Sequence, residues 1–433
     1  MRTILKNIVA TILRFEARLL LSKYRPRIVV VTGSVGKTST KDAIFEVVAS
    51  GAHARKSEKS FNSEIGLPLT VLGLPNAWNN PLRWLETIVD GLMLYVSAQP
   101  YPSWLILEAG ADRPGDIRSL ASWLKVDVAV ITRLPEVPVH VEFFDSGDAV
   151  REEKASLINA LKQDGTLVLY ADDPGVVALR ARARSAHSIT FGFSEAADVR
   201  AHGVEIIFAG SKPIGIRAHV RAQGDIGILE VKGAIGAHAL MPALAAIAVG
   251  QALGKPLPET LLALSHYDPP PGRMHLVEGE KNTTIIDDTY NSSPAAAEAA
   301  LETLALLPVR ASAGRRIAVL GDMLELGRHS VDEHRKVGGK VVPCADILMT
   351  AGFRAREIAQ GALDQGMAES KILQYEDAAR AGAELEAMIK EGDVILIKGS
   401  QSMRMERIVE GIMQNPAHAL DLLVRQDEEW KKR

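Results

Sequence analysis

Arg27-Ile28-Val29-Val30-Val31-Thr32-Gly33-Ser34-Val35-Gly36-Lys37-Thr38-Ser39 is the stretch on which the reading of this chain turns. Its first five residues are a short β-branched run of the kind found in buried parallel strands. Thr32 to Lys37 then reads as a loop, and Thr38 to Ser50 as the helix that follows. Strand, glycine loop and helix in that order form an anion cradle. The glycines let backbone N–H groups close around phosphate oxygens, Lys37 neutralises charge, and Thr38 offers a hydroxyl to Mg²⁺. Val31 stands where the longer G-x-x-x-x-G-K-[ST] pattern has its first glycine, so the loop is a shortened form.

Beyond this stretch, apolar strand candidates at Trp104 to Leu107, Val126 to Ile131 and Thr166 to Tyr170 alternate with helical or loop segments. That alternation predicts an α/β domain with an open, mostly parallel sheet. Between about 200 and 232 the texture changes to short alternating runs, Val204–Phe208 and Ile226–Val231, expected as antiparallel strands at the sheet margin. Pro269-Pro270-Pro271-Gly272 is a linker signal. Beyond it Thr284 to Asp287, Ile317 to Leu320, Ile347 to Thr350 and Val394 to Ile397 predict a second α/β domain, Rossmann-like in pattern. The expected division is therefore 1–27 as an amphipathic helix, 28–268 as the central nucleotide-binding domain, and 269–433 as a C-terminal domain.

Bulk properties exclude several classes. A length of 433 residues calls for more than one core, and a net charge of −3 disfavours nucleic acid as a partner. The single cysteine, Cys344, forbids an intrachain disulfide and fits a reducing, cytoplasmic setting; Val341-Val342-Pro343 before it suggests a packing role. Gly233 to Gly254 lacks charge but is rich in Ala and Gly, which reads as a packed helix after a glycine turn rather than a membrane span. Residues 1–27 leave two readings open. Their basic and apolar residues fit a helix on an anionic membrane surface, or one docked on its own domain; docking is preferred. Trp78 to Trp104 carries apolar residues at helical spacing and reads as a helix packed on the domain.

The loop resembles the T-G-x-x-G-K-T-[ST] segment of the Mur ligase family, and further motifs follow in order. Phe61-Asn62-Ser63-Glu64-Ile65-Gly66-Leu67-Pro68 is similar to that family's N-x-E-I-G-x-P. Glu108-Ala109-Gly110-Ala111 with Pro114-Gly115-Asp116-Ile117 matches its E-x-G-x…G-x-I, and Asp287 to Pro294 its D-D-x-Y-N-A-N-P. Gly321 to Gly327, His334 and Lys398-Gly399-Ser400 resemble the members that add D-alanyl-D-alanine to a UDP-muramoyl tripeptide.

The resemblance implies an ATP-dependent ligase that phosphorylates a carboxylate and passes the acyl phosphate to an amine. The expected partners are a small peptide or nucleotide-sugar acceptor and an amino acid or dipeptide, and the expected state is a monomer. Gly33, Ser34, Val35, Gly36, Lys37, Thr38 and Ser39 would hold ATP, with Arg273, Asp288 and Asn291 from the second domain. Thr38, Glu108, His140 and Lys154 would attend Mg²⁺, expected as two ions. Lys37, Glu108, His140 and Lys154 are the catalytic candidates, with Lys154 at the position of the family's carbamate-bearing lysine. Glu108 also stands on the sequence itself, as a hard oxygen donor ending a strand beside the loop.

Two departures qualify the substrate. The family's D-alanyl-D-alanine-adding members carry a separate N-terminal UDP-binding domain, whereas residues 1–27 precede the first strand here. The family's H-N-x-x-N segment reads His238-Ala239-Leu240-Met241-Pro242, so the adenine contacts are expected to differ. Two other readings therefore stand beside the leading one: a ligase of the same type for a non-peptidoglycan acceptor, and a nucleotide-binding partner protein without catalysis.

Overall fold

The computed structural model describes residues 2–58, 62–78, 80–183, 187–309, 314–427 and 430, with side chains from residue 6 onward. Phe61 of the second motif, and the side chains of Arg2, Ile4 and Leu5 in the first helix, lie outside that description.

Nine strands form the first sheet: β1 (Arg27–Thr32), β2 (Ala54–Lys56), β3 (Trp104–Glu108), β4 (Val126–Ile131), β5 (Leu161–Tyr170), β6 (His187–Gly192), β7 (Val199–Ala209), β8 (Lys212–Ala222) and β9 (Asp225–Lys232). Their order is β2-β3-β1-β4-β5-β6-β7-β8-β9. The pairs from β2 to β7 are parallel, and β7-β8-β9 is antiparallel, at the margin as expected. Register decides what happens at the carboxyl ends. Val31 sits opposite Glu108, and Thr32 opposite Ile131, so the loop after β1, the last residue of β3 and the exit of β4 emerge side by side. Ligand sites in open α/β sheets form at such ends.

Val29, Val30 and Val31 are fully buried, which explains the missing first glycine: that position is still strand, packed in the core. Each such aliphatic side chain contributes about 1.5–3 kcal/mol by leaving water. The glycine turn before 241 opens a buried helix, Met241–Ala252, as the charge-free composition predicted, and it packs against α2 (Lys37–Ala49).

The second sheet contains β10 (His275–Glu278), β11 (Thr284–Asp288), β12 (Arg316–Gly321), β13 (Ile347–Ala351), β14 (Ile372–Tyr375) and β15 (Val394–Lys398) in the order β10-β11-β15-β12-β13-β14. Only β10 runs antiparallel, and β11 and β15 place Asp288 opposite Lys398. Cys344 is buried in this unit's core.

The N-terminal helix α1 (Arg2–Tyr24) docks on its own fold. Val9, Leu13 and Leu20 bury against Leu69 and Leu72 of α3 (Gly66–Leu72), and the Tyr24 ring stacks on Tyr101 with centroids 4.6 Å apart. The next long helix, α4 (Pro81–Val96), starts where Asn80 Oδ1 accepts from the Leu82 and Arg83 N–H groups at 3.0 and 3.3 Å and Pro81 takes the first position. It rests on α1 through Trp84, Ile88 and Leu94. Gly91 permits the close approach: a Cβ there would meet Glu16 Oε2 at 2.3 Å. The expectation of a packed helix is met on that side alone. The opposite side of α4 stays in solvent.

Candidate functional site

The phosphate loop is held in shape from several directions. Lys154, on α5 (Gly147–Ala155), donates from Nζ to Gly33 O at 3.0 Å and Ser34 Oγ at 3.2 Å. Thr132 Oγ1 donates to Val35 O at 2.7 Å, and Ser34 N to Arg133 O at 3.0 Å. Gly33 has φ +145° and no room for a side chain, since a Cβ would lie 1.9 Å from Thr132 Oγ1. Gly36, at φ 77°, turns the chain into α2.

Glu108 leaves the end of β3 buried, and its two oxygens are occupied differently. Oε2 accepts the Thr38 hydroxyl at 2.7 Å, and Oε1 accepts Asn62 Nδ2 at 3.2 Å. Arg273, just past the linker, reaches back and donates to Thr38 Oγ1 at 3.0 Å while its guanidinium lies 4.0 Å from the Tyr290 ring centroid. One hydroxyl thus joins both sheet units.

From the second unit, Lys398 Nζ pairs with Asp288 Oδ2 at 2.5 Å and donates to Asn291 O at 2.9 Å. Met274 N donates to the other Asp288 oxygen at 3.2 Å. His140, at φ 72°, has Nδ1 2.6 Å from Glu325 Oε2 and Nε2 3.4 Å from Asp112 Oδ1, a second bridge between the units. Glu325 is held below the usual carboxylate range by that hydrogen bond. His334 acts at one remove: its Nε2 accepts Met323 N at 2.9 Å, and Ser400 Oγ accepts Leu324 N at 2.8 Å, so both shape the loop that presents Glu325.

These groups line one cavity of about 440 Å³ between the units. Every sequence-predicted site residue except Gly33 and Lys154 lines it directly, and those two support the loop at its wall. His238, Ala239 and Pro242 also line it, and burial pushes the His238 imidazole down to about 4. Arg133 and Asp112 are lining residues that the sequence reading passed over. Arg133 follows the end of β4, so the strand-end reasoning applied to Glu108 would have found it; Asp112 gave no signal beyond its place after the glutamate motif. Arg151, the basic neighbour of Lys154, points elsewhere and donates to Leu134 O. Glu64 of the second motif pairs with Lys6 at the surface.

Burial, and then the charge of Lys37, pull the Lys154 ammonium well below the ordinary lysine range; burial does the same, less strongly, to Lys37. The two acceptors of Lys154, Gly33 O and Ser34 Oγ, are uncharged. The cleft therefore offers cations to an anionic ligand at one wall and hard oxygens beside them. Among the described residues no group of three or more His, Cys, Asp or Glu side chains could enclose a metal. Thr38 and Glu108 fit Mg²⁺, which draws most of its shell from phosphate and water.

Comparison with known proteins agrees with this geometry. Residues 91–250 match the Mur ligase middle domain, and residues 272–401 the Mur ligase glutamate ligase domain. The UDP-N-acetylmuramoyl-tripeptide–D-alanyl-D-alanine ligase of Bacillus subtilis is 30% identical over 95% of this chain and 81% of its own length. The Mycobacterium leprae enzyme of the same name is 29% identical over 90% and 74%. The crystal structure of MurF ligase from Thermotoga maritima in complex with ADP superposes with a TM-score of 0.75 at 26% identity, covering 93% of this chain and 83% of that one.

Proposed function

The chain belongs to the Mur ligase family, and on that footing we propose that it joins D-alanyl-D-alanine to the free carboxylate of a UDP-linked muramoyl tripeptide with ATP. The observation that carries the reading is the single cavity in which the phosphate loop, the Thr38–Glu108 pair and the Asp288–Lys398 pair face one another.

A carboxylate does not condense with an amine at neutral pH because hydroxide is a poor leaving group. Attack of the acceptor carboxylate on the γ-phosphorus of ATP expels ADP and gives an acyl phosphate. The amine then adds to its carbonyl, and the tetrahedral intermediate collapses to amide and inorganic phosphate. Lys37 and the loop amides hold the phosphates and offset charge as it develops on the transferring group. Arg273 ties that loop to the second unit, so closure of the cleft and alignment of the phosphates are one event, and closure keeps water from the acyl phosphate. Bound Mg²⁺ supplies further positive charge on the phosphate oxygens. Thr38 and Glu108 would hold one ion; His140, with Lys154, would attend a second.

We also assign Lys154 as the site of a carbamate. A neutral amine, which burial favours here, attacks CO₂ and releases a proton, converting a cation into an anionic oxygen donor. Asp288 and Asn291 would meet the nucleotide from the second unit, near His238, Ala239 and Pro242. The reaction is placed in the cytoplasm, where ATP is available, and the enzyme is taken as a monomer. Among the described residues no helix is long and apolar enough to cross a membrane.

The test is incubation with ATP, Mg²⁺ and a panel of muramoyl peptides and amines, with phosphate release and product mass as readouts. Release that needs both the UDP-muramoyl tripeptide and D-alanyl-D-alanine is the expected result. Turnover only with other acceptors would reassign the substrate, and no acceptor-dependent release at all would sink the ligase reading.

A further inference from the structure

The outward side of α4 has no partner within the fold. Leu82, Leu85, Val89, Leu92, Met93 and Val96 recur at spacings of three, four and seven, which places them on one stripe of a helix. All six are exposed, Leu82 to 73% and Val96 to 77%. Trp78 stands exposed just before the helix and Tyr95 near its end. Contiguous apolar surface of this kind marks an interaction site rather than ordinary surface scatter.

Charge says what it interacts with. Arg18, Lys23 and Arg25, on and just after α1, are exposed. Lys23 lies at the end of the stripe, its Nζ donating to the Tyr95 and Ser97 carbonyls at 2.7 and 2.6 Å. The one acid of α1, Glu16, is buried beneath α4 and adds nothing to the surface. Arg83, Glu86 and Asp90 are exposed along one border of the stripe, Glu86 next to Met93, so the positive charge offered to a partner is that of α1. An apolar stripe with aromatic ends and neighbouring basic residues is the pattern of a helix lying in a membrane interface. At 16 residues, about 24 Å long at 1.5 Å per residue, α4 can lie on a bilayer whose apolar core is about 30 Å thick but not span it.

We propose that α4, flanked by the basic residues of α1, seats the enzyme peripherally on anionic lipid. This moves the membrane contact weighed as the second reading for residues 1–27: α1 spends its apolar side on α3 and α4 and contributes charge, while α4 supplies the apolar surface.

The full-length protein is centrifuged with large unilamellar vesicles, either pure phosphatidylcholine or an equal mixture with phosphatidylglycerol. A triple variant, Leu82→Ser, Leu85→Ser and Val89→Ser, is run beside it, with ATP-dependent phosphate release as the folding control, since none of the three lines the cleft. Expected are binding to the phosphatidylglycerol mixture that weakens with salt, and at least a tenfold loss in the variant. No binding to either vesicle, equal binding to both, or undiminished binding by the variant would overturn the proposal. So would a dimer, seen by sedimentation of the lipid-free protein, that the same substitutions dissolve, because a second copy would then own the face.

Discussion

Two mostly parallel sheets turn the carboxyl ends of their parallel strands to the same cavity, yet they treat a buried cation in opposite ways. In the second unit Lys398 is neutralised in place by Asp288, its cross-strand neighbour. In the first, Lys154 is buried against uncharged oxygens, with Lys37 close enough to lower its affinity for a proton. Burying charge without compensation is costly, so the first arrangement favours a neutral Lys154 amine and leaves Lys37 as the cation that faces an incoming anion. Under the proposed reading this is a division of labour: one unit would reserve positive charge for the phosphates, while the other holds a fixed, internally balanced pair.

The largest test of that division is Lys37→Ala. Loss of the phosphate-facing charge is expected to lower kcat/KM by about 10³-fold, or ~4 kcal/mol of transition-state stabilisation, with the melting temperature little changed. A loss under tenfold in the phosphate-release assay would undo the asymmetry. Lys154→Ala is expected to lower kcat by about 10²-fold, and short carboxylates added to the assay to restore part of it, as expected when an anionic oxygen donor is missing. Full activity in the variant removes the carbamate. Asp288→Asn leaves Lys398 without its counter-charge; the expected change is smaller, about tenfold in the KM for ATP with kcat moving less. Equal losses in kcat and kcat/KM there would place Asp288 in the chemistry instead.

A buried charge far from the cavity extends the contrast. Neither Glu16 oxygen has a hydrogen-bond partner among the described residues, and burial raises its pKa to about 7. A carboxyl raised in the folded state favours its neutral form. The contribution of this group to stability is therefore greatest below the ordinary value of 4.5 and declines as pH rises from there to about 7. Glu16→Gln abolishes that decline. Thermal unfolding should find the variant more stable than the parent at pH 8, by about 1 kcal/mol or more, and the gap should close towards pH 4.5. A constant difference across that range would refute it.

Much of the site was legible because its chemistry is local. The β1–loop–α2 sequence, Glu108 at a strand end, and the Asp287–Pro294 segment each carry their own signal, and the fold class follows from the alternation around them. What escaped is non-local. That Arg273 would donate to Thr38 follows from how the two units meet, and the pairing of Lys398 with Asp288 from a register between strands more than a hundred residues apart in sequence. Glu325 and His334 looked equivalent in sequence, yet one reaches His140 and the other braces the loop. Short strands such as β2 and β14 carry too few residues to show a period. With α4 the difficulty was an excess of signal: apolar residues occur on so much of its circumference that periodicity could not say which side faced in.

The bracing of the phosphate loop also sets the thermodynamics of binding. Gly33 to Val35 are tied by the fold's own Lys154, Thr132 and Arg133. Fixing a residue's backbone costs about 1–2 kcal/mol in conformational entropy, and for these residues that cost falls in folding rather than in binding. Nucleotide recognition should then show little of the unfavourable entropy that marks a disordered loop ordering around its ligand. Loosening one tie, as in Thr132→Ala, would transfer part of that entropy to the binding step, where calorimetry can read it.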